Sequence, residues 1–544
     1  MNMKSTYIFI LFLLLTPAIN AQTNNGNEEK GPLGMGLSYI RDWSSAFPFL
    51  NLAKQARPWI AQRPGKAFGK GGRLDLDKHG WIKRLDKHQY ADLLFLTPHN
   101  KHIPYNQFRV TFDGHGVIQY QGSVSLIKDN GNTHIIKLIN NKKHAILRIR
   151  KTNPSDYVRN IEIVPLKYAE IYDKGEIFNP DWLRLIKNYR AIRFMNWMQT
   201  SENPPGNWED RPKPNDANWQ KYGVPIEIMV KLANKINADP WFNIPHTADD
   251  EYIVNFGKYL QKNLDRKRKV IIEHSNEIWN FWFPQAKYAN KLAKKRWNKN
   301  NLYMEWHGMR TQHICHILKT KVFNTDSHRV VCVLGLWTNN PALSKTALEC
   351  PHWVQEGHKP CYQHDIDAIA ITGYFSGCLH GQRKRNPRNQ IHFIRKWIRE
   401  GEAGIKKAFE QLRTGKYFDC FDTLKEVNNR YHTFYKIAKF YNLRLFAYEG
   451  GSHITALGKK YENDPDIIRF LRTINRRPEI YDIYLKNFEN WKNSGGELFM
   501  HYVEVSLPSR SGNFGAMEHL LDFEAPKYKA LIKFNKSLCW WENC

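Results

Sequence analysis

Seven short apolar runs, separated by amphipathic segments, constrain the fold of this chain more than any other feature. Helical patterns fill the intervals, for example at 227–236, 253–264, 304–318 and 423–441. The apolar runs lie at 191–195, 240–244, 270–273, 330–334, 368–372, 444–448 and 498–502. Such runs indicate buried strands, and their alternation with helices is typical of parallel β–α units. A further strand at 36–40 makes eight, so we predict an α/β fold, a (β/α)₈ TIM barrel.

Residues 72–165 have a different sequence pattern. Short alternating runs occur at 108–112, 117–120, 134–138 and 145–149, with turn signals such as Asp113-Gly114 between them. This spacing predicts a small β-sandwich module. We favour its insertion after a first barrel strand and a helix at 48–60, so that residues 22–60 begin the barrel and 166–544 complete it. The alternative is an N-terminal β-domain followed by all eight barrel strands.

The first residues are typical of a targeting segment. Lys4 precedes an apolar stretch at 7–15, and Ile19-Asn20-Ala21 resembles a small-residue cleavage site. We predict a signal peptide over residues 1–21, cleaved after Ala21, and therefore a secreted or periplasmic protein. An uncleaved membrane anchor is the alternative, but the apolar stretch is short for a membrane span. No later segment is long and apolar enough to cross a membrane.

Eight cysteines, all at or after Cys315, fit an exported chain that holds disulfides. Sequence proximity favours bridges between Cys350 and Cys361 and between Cys539 and Cys544. Cys332 lies inside an apolar run, which predicts a buried thiol. The cysteine spacings do not match a zinc site, and residues 75–80 lack the acidic pattern of a calcium loop. The sequence therefore predicts no metal and no cofactor.

The chain has a formal net charge of +29 and a pI near 9.6. This charge is compatible with an anionic partner, such as an acidic polysaccharide or a cell-envelope polyanion. The basic residues are spread through the whole chain, however, and we favour a general compositional bias. No motif indicates specific binding of nucleic acid.

Two glutamates stand where packing alone gives no reason for a carboxylate. Glu277 follows the fourth predicted strand in Asn276-Glu277, and Glu449 ends the seventh in Tyr448-Glu449-Gly450. In a (β/α)₈ barrel the active site lies at the carboxyl ends of the strands. A pair of carboxyl groups at that end is typical of glycoside hydrolysis. Glu273, inside the fourth strand, is a competing candidate for the acid.

This order of motifs resembles the clan A glycoside hydrolases over roughly residues 31–60 and 166–525. The resemblance implies that Glu277 is the general acid and base and that Glu449 is the nucleophile. It further implies contacts to the sugar or to the nucleophile from four more residues: Asn276 to the sugar 2-hydroxyl, Tyr374 and Arg193 to Glu449, and His246 to the substrate. Arg193 could instead form an ion pair in the barrel core, and His246 could cap the next helix.

One position departs from the clan, which usually has a tryptophan at the end of strand eight. Here His501, Tyr502 or Phe514 could take its place. Sugar rings stack on aromatic rings, so tryptophans near strand ends are candidates for substrate contact. They are Trp43, Trp197, Trp208, Trp279, Trp282 and Trp337.

Together these features predict a retaining glycoside hydrolase that acts on a β-linked polysaccharide or oligosaccharide. The main alternative is a non-catalytic carbohydrate-binding or polyanion-binding protein on a barrel scaffold. A polysaccharide lyase is a more remote one.

Overall fold

A computed structural model describes residues 30–98, 102–140, 142–202, 204–379, 387–456, 463–509, 512–542 and 544 of the chain. The predicted signal peptide at residues 1–21 lies outside these residues.

Eight parallel strands close into a barrel, which confirms the predicted fold class. Numbered along the chain, they are β1 (Leu33–Gly36), β12 (Ala191–Arg193), β13 (Asp239–Ile244), β14 (Val270–His274), β15 (Val330–Gly335), β16 (Ala368–Phe375), β17 (Arg444–Ser452) and β18 (Phe499–Tyr502). Strand β1 closes the barrel because it pairs with β12 on one side and β18 on the other.

The ten strands between β1 and β12 are antiparallel and lie outside the barrel. They are β2 (Ile60–Gln62), β3 (Asp75–Leu76), β4 (Ile82–Arg84), β5 (Tyr90–Leu96), β6 (Gln107–Asp113), β7 (Gly116–Gly122), β8 (Val124–Asn130), β9 (Thr133–Leu138), β10 (Ala145–Thr152) and β11 (Arg159–Pro165). They form two four-stranded sheets, β2-β5-β10-β7 and β11-β6-β9-β8, and a small β3–β4 hairpin. Phe95 and Phe108 meet edge to face between the two sheets. A sandwich is therefore inserted between the first two barrel strands.

Fourteen α-helices are found in the described residues. They are α1 (Ala169–Asp173), α2 (Pro180–Ile186), α3 (Ile226–Ile236), α4 (Asp250–Asn263), α5 (Pro284–Trp297), α6 (Tyr303–His316), α7 (Ala342–Glu349), α8 (Pro351–Gln355), α9 (Pro387–Glu400), α10 (Glu402–Thr414), α11 (Leu424–Phe440), α12 (Pro465–Arg476), α13 (Glu479–Asn493) and α14 (Pro526–Phe534). Side-chain caps fix several starts: Asp249 accepts from the Tyr252 amide at α4, and Thr423 from the Glu426 amide at α11.

Two separate apolar clusters reflect the layers of the fold. Inside the barrel, residues from alternating strand positions such as Trp241, Val333, Ala370 and Met500 pack on one another. The second cluster joins the outer faces of the strands, the helices and the sandwich interior. Strands buried on both faces read as continuous apolar runs, which is why the sequence revealed them.

Three predicted details are wrong. The helix predicted at 48–60 is a single 3₁₀ turn, Leu52–Gln55, because Pro58 and the strand β2 follow it closely. The first barrel strand begins earlier than 36–40, at Leu33. Cys332 is not a free thiol: it pairs with Cys315 on α6, which packs against β15.

The remaining cysteines pair as Cys350–Cys361, Cys378–Cys420 and Cys539–Cys544, which confirms the two predicted local bridges. Four disulfides fit an oxidising, extracellular environment. In the described part of the chain, no helix is long and apolar enough to span a membrane.

Candidate active site

A tight turn after β14 carries Asn276 and Glu277 to the carboxyl end of the barrel. Ser275 and Glu277 both adopt left-handed backbone conformations, with φ of 58° and 43°. Non-glycine residues rarely adopt such angles, and they concentrate at functional sites. The turn is fixed from outside: the Ser275 amide donates to the Ile244 carbonyl, and Gln285 Nε2 donates to the Asn276 carbonyl at 2.8 Å each.

Glu449 lies within β17, next to a change of register between β16 and β17. The pairing shifts between Ile371 and Thr372, so that Thr372 faces Glu449. Such bulges re-aim side chains beside active sites. Glu449 is buried, and its Oε2 accepts from Arg193 Nη1 at 3.2 Å. The nearby Tyr374 hydroxyl acts to lower the pKa of this carboxyl group.

Arg193 connects the two glutamate-bearing segments from the centre of the barrel. It is 2% exposed, and besides Glu449 it donates to Glu273 at 2.8 Å and to Asn276 Oδ1 at 2.9 Å. Its planar guanidinium can serve several acceptors at once. Both expectations for Arg193 therefore describe real contacts: it forms a barrel-core ion pair with Glu273, and it reaches Glu449.

Glu273 is fully occupied by partners inside the barrel. Its carboxylate accepts from Arg193, from Trp241 Nε1 at 2.8 Å and from Asn243 Nδ2 at 2.8 Å, and the residue is 1% exposed. Glu277, in contrast, is partly exposed, and one protein donor, Asn280 Nδ2, lies 2.8 Å from its Oε2. Of these two carboxyl groups, Glu277 is the one that a ligand can reach.

The surroundings of the two glutamates differ in charge. Burial and the nearby charge of Glu449 raise the pKa of Glu277 to about 8, against a smaller opposite effect of Asn280. Burial also raises the pKa of Glu449, but Arg193 and Tyr374 oppose this by stabilising its ionised form. Arg193 thus favours the ionised form of Glu449, and the charge of Glu449 favours the protonated form of Glu277.

Two predicted tryptophans come together beside this site. Trp279 follows Glu277, and Trp337 follows β15; their rings are parallel within 2°, with centroids 5.4 Å apart. Both side chains are partly exposed. Trp282, 90% exposed in the same loop as Trp279, extends the aromatic surface outward.

The end of strand eight presents tyrosine where the clan usually has tryptophan. The ring of Tyr502 lies 6.5 Å from that of Tyr374 and 5.6 Å from that of Phe514. Burial raises the pKa of Tyr502, and Tyr39 and the charge of Glu449 add to this. His501 points elsewhere: it is fully buried, with Nε2 at 3.3 Å from the Tyr484 hydroxyl.

Of the other residues predicted to contact the substrate, some lie at the site and some belong to the core. Asn276 is 2% exposed; its Nδ2 donates to Ser201 Oγ at 3.1 Å, while Oδ1 is bound to Arg193. His246 is 6% exposed and packs edge-on against Tyr288; burial lowers its pKa to about 4. It does not cap α4, since Asp249 does. Trp197 is completely buried against Trp182 and belongs to the core.

Two residues near the glutamates were not predicted. Burial raises the pKa of Tyr39 to about 12; the charge of Glu202 adds to this, Arg41 opposes it, and Glu449 and Glu277 contribute less. Tyr39 follows β1, and the rule that sites gather at strand carboxyl ends could have found it. Asn280, three residues after Glu277, could have been found from its spacing.

The fold and the paired glutamates define the class of protein: a (β/α)₈ barrel with two carboxyl groups at the carboxyl ends of strands four and seven. No family model and no curated protein matches the chain. The chain is similar in fold to solved structures of glycoside hydrolases, and no single family is indicated.

Three of these solved structures illustrate the likeness. They are a psychrophilic family 10 endo-β-1,4-xylanase (10% identity, 66% of this chain and 93% of that chain, TM-score 0.31), a family 10 protein from Paenibacillus barcinonensis (12%, 67% and 93%, 0.33) and a double mutant of a β-glucosidase from Trichoderma harzianum (12%, 66% and 87%, 0.36). At such scores the likeness carries no argument of its own. The barrel assignment rests on the strand pairing, and the roles of the site residues rest on the geometry above.

Proposed function

We propose that this protein is an exported retaining glycoside hydrolase that acts on a β-linked polysaccharide or oligosaccharide. The observation that carries the proposal is the unequal environment of two carboxyl groups at one end of the barrel. Glu449 has a cation, Arg193, at 3.2 Å, whereas burial and the Glu449 charge raise the pKa of Glu277 to about 8. Retaining hydrolysis needs one ionised and one protonated carboxyl group about 5–5.5 Å apart.

In the first step, Glu449 attacks the anomeric carbon and displaces the leaving group. Glu277 gives its proton to the departing glycosidic oxygen, and a glycosyl ester forms on Glu449. In the second step, Glu277, now ionised, removes a proton from water, and the water oxygen attacks the anomeric carbon. The Glu449 ester bond breaks, the sugar is released with retained configuration, and Glu277 is again protonated.

The surrounding residues have supporting roles in this proposal. Arg193 and Tyr374 keep Glu449 ionised, and they orient its carboxylate for attack. One of the two amide hydrogens of Asn276 is donated to Ser201, and the other can be donated to a sugar hydroxyl. Trp279 and Trp337 provide flat apolar faces for sugar rings, and Tyr502 takes the place of the strand-eight tryptophan. His246 remains a candidate for substrate contact.

Turnover by the Glu449→Ala variant tests the proposal directly. We expect loss of hydrolysis on every polysaccharide that the wild type degrades, with binding to that polysaccharide retained. Azide should restore part of the activity on an activated aryl glycoside and give the glycosyl azide of inverted configuration, because azide occupies the space of the removed carboxylate. Proton NMR of the first product reports the configuration.

Two outcomes would contradict the proposal. Normal turnover by Glu449→Ala would show that Glu449 is not the nucleophile. Wild-type release of a product with inverted configuration would refute double displacement. Binding to polysaccharides with no turnover by the wild type on a broad panel, neutral and acidic, would favour the alternative of a non-catalytic carbohydrate-binding protein.

A further inference from the structure

A cleft lies between the inserted sandwich and the barrel. Its walls come from three places: strands β6, β9 and β11 of the sandwich, the β3–β4 hairpin, and the segment 214–219 before α3. Its volume is about 930 Å³. Ligand sites in proteins typically occupy about 300–1,000 Å³. The cleft is therefore large enough for an oligosaccharide.

Three buried aromatic side chains and one partly exposed tyrosine line this cleft. Trp81, Phe112 and Trp219 are each less than a tenth exposed and form its buried side. Tyr157 is partly exposed on the wall, and its hydroxyl donates to Asp77 Oδ2 at 2.8 Å, which fixes the ring in place. A tyrosine ring held rigidly at a cleft wall offers an apolar face at little cost in side-chain entropy.

The polar side of the cleft has both hydrogen-bond acceptors and hydrogen-bond donors. Glu162 accepts from the Tyr172 hydroxyl at 2.7 Å and from Thr111 Oγ1 at 2.9 Å, so its carboxylate is fixed but retains free lone pairs. Lys54 Nζ donates to the Pro214 and Asp216 carbonyls at 3.1 and 2.7 Å, and an ammonium has three hydrogens. Such neighbouring acceptors and donors suit hydroxyl groups, which both donate and accept.

The charge of the lining distinguishes between classes of ligand. Three carboxylates and two cations line the cleft: Asp77, Asp113, Glu162, Lys54 and Arg159. The excess of carboxylates opposes an anionic ligand, although the whole chain carries +29. A neutral polyhydroxylated ligand fits this lining better than an acidic polysaccharide does.

We infer that this cleft is a second carbohydrate-binding site, which takes a neutral oligosaccharide or a segment of a neutral polysaccharide. The site itself rests on the cleft geometry, and the choice of a glycan as ligand rests in part on the proposed function. A chain of contacts links the cleft to Tyr39, which follows β1. The Trp219 amide donates to the Lys54 carbonyl, and the next residue, Gln220, accepts from Arg41, whose guanidinium lies over the Tyr39 ring.

Isothermal titration of the full chain tests this inference, with Glu449→Gln in every protein to prevent turnover. The probes are neutral hexasaccharides of β-1,4-linked glucose, xylose or mannose and of β-1,3-linked glucose, with oligogalacturonate as the anionic comparison. Tyr157→Ala removes the exposed ring. Tyr120→Ala is a matched control: Tyr120 is also partly exposed on the sandwich, its hydroxyl bonds His134 at 2.7 Å, and it lies outside the cleft.

We expect Tyr157→Ala to weaken one binding event with at least one neutral hexasaccharide by roughly tenfold, and Tyr120→Ala to leave it unchanged. Hydrogen exchange should slow at 107–113 and 157–162 when that probe binds. Should Tyr157→Ala fail to fold, Glu162→Gln, which keeps the side-chain shape, should weaken the same event.

Three results would overturn the inference: unchanged binding in both Tyr157→Ala and Glu162→Gln, binding of oligogalacturonate in preference to every neutral probe, or no binding of any probe. Failure of the proposed function is distinguishable from these results. It would appear as an absence of turnover by the wild type, whereas the Tyr157-dependent binding event would remain.

Discussion

Glu277 and Glu449 have the same side chain but opposite electrostatic tasks, and their partners account for the difference. Arg193 and Tyr374 contact Glu449, whereas Glu277 has an amide, Asn280, and the repulsion of the Glu449 charge. Charge partners of this kind decide which of two coupled carboxyl groups keeps the proton. The sequence revealed the two glutamates because carboxylates at the ends of apolar runs are unusual. The spacing of three residues makes Asn280 a possible partner of Glu277, but the contact itself depends on the geometry of the turn.

The pH dependence of turnover follows from these contacts. In the proposed mechanism Glu277 must be protonated in the first step, so kcat/KM should fall as pH rises through about 8. Asn280 Nδ2 donates to Glu277 and favours its ionised form. Asn280→Ala should therefore raise the pKa of Glu277 and move the basic limb of the kcat/KM profile to higher pH. The acidic limb, which reports Glu449, should stay where it is in the wild type.

A basic limb that stays in place in Asn280→Ala, or moves to lower pH, would contradict this assignment. The measurement needs an aryl glycoside series as well as the natural substrate. An activated leaving group requires less help from the acid, so the basic limb should be weaker with such substrates.

At the scale of elements, three barrel strands are joined through one arginine. Arg193 on β12 contacts Glu273 on β14 and Glu449 on β17, with Trp241 of β13 donating to the same Glu273 carboxylate. These strands lie apart in sequence, and only closure of the barrel brings their interior positions to one point. Apolar periodicity predicts the strands but does not say which interior residues meet. For this reason the sequence left Arg193 with two alternative roles, and the structure shows both contacts.

Loss of this arginine should destabilise the barrel. Arg193→Met leaves Glu273 buried without its cation, and such a change typically costs about 3–5 kcal/mol. The double variant Arg193→Met/Glu273→Met should regain most of that stability, because it removes both charges and keeps the volume. Guanidinium unfolding followed by tryptophan fluorescence measures both. A single variant as stable as the double one would show that Trp241 and Asn243 alone can hold the Glu273 charge.

At the scale of the whole molecule, an inserted sandwich and four disulfides surround the barrel. The eight barrel strands span residues 33 to 502, and the sandwich strands lie between the first and second of them. Local patterns revealed seven of the barrel strands and part of the sandwich, but they left the place of the sandwich between two topologies. The pairing of β1 with both β12 and β18 decides for insertion. Cys332 was misjudged for a related reason: its partner Cys315 lies on a helix that packs on β15 only in the folded chain.

The disulfides should contribute to stability according to the loops that they close. Cys378–Cys420 closes 42 residues, and Cys539–Cys544 closes five. Chain-entropy arguments give about 4 kcal/mol for the first and about 2 kcal/mol for the second. Paired Cys→Ser variants should therefore lower the thermal midpoint more for Cys378/Cys420 than for Cys539/Cys544. Equal midpoints for the two variants would show that loop entropy does not control their contributions.

The sequence by itself determined the barrel class and made the two glutamates candidates for the site, because the first depends on local patterns of burial and the second on carboxylates that burial cannot explain. Tertiary structure decided the rest: the network centred on Arg193, the stacking of Trp279 on Trp337, Tyr502 at the strand-eight position, and the cleft beside Tyr157. Each of these joins residues that are distant in the chain. Their proximity follows from barrel closure and from the docking of the sandwich, which no local pattern records.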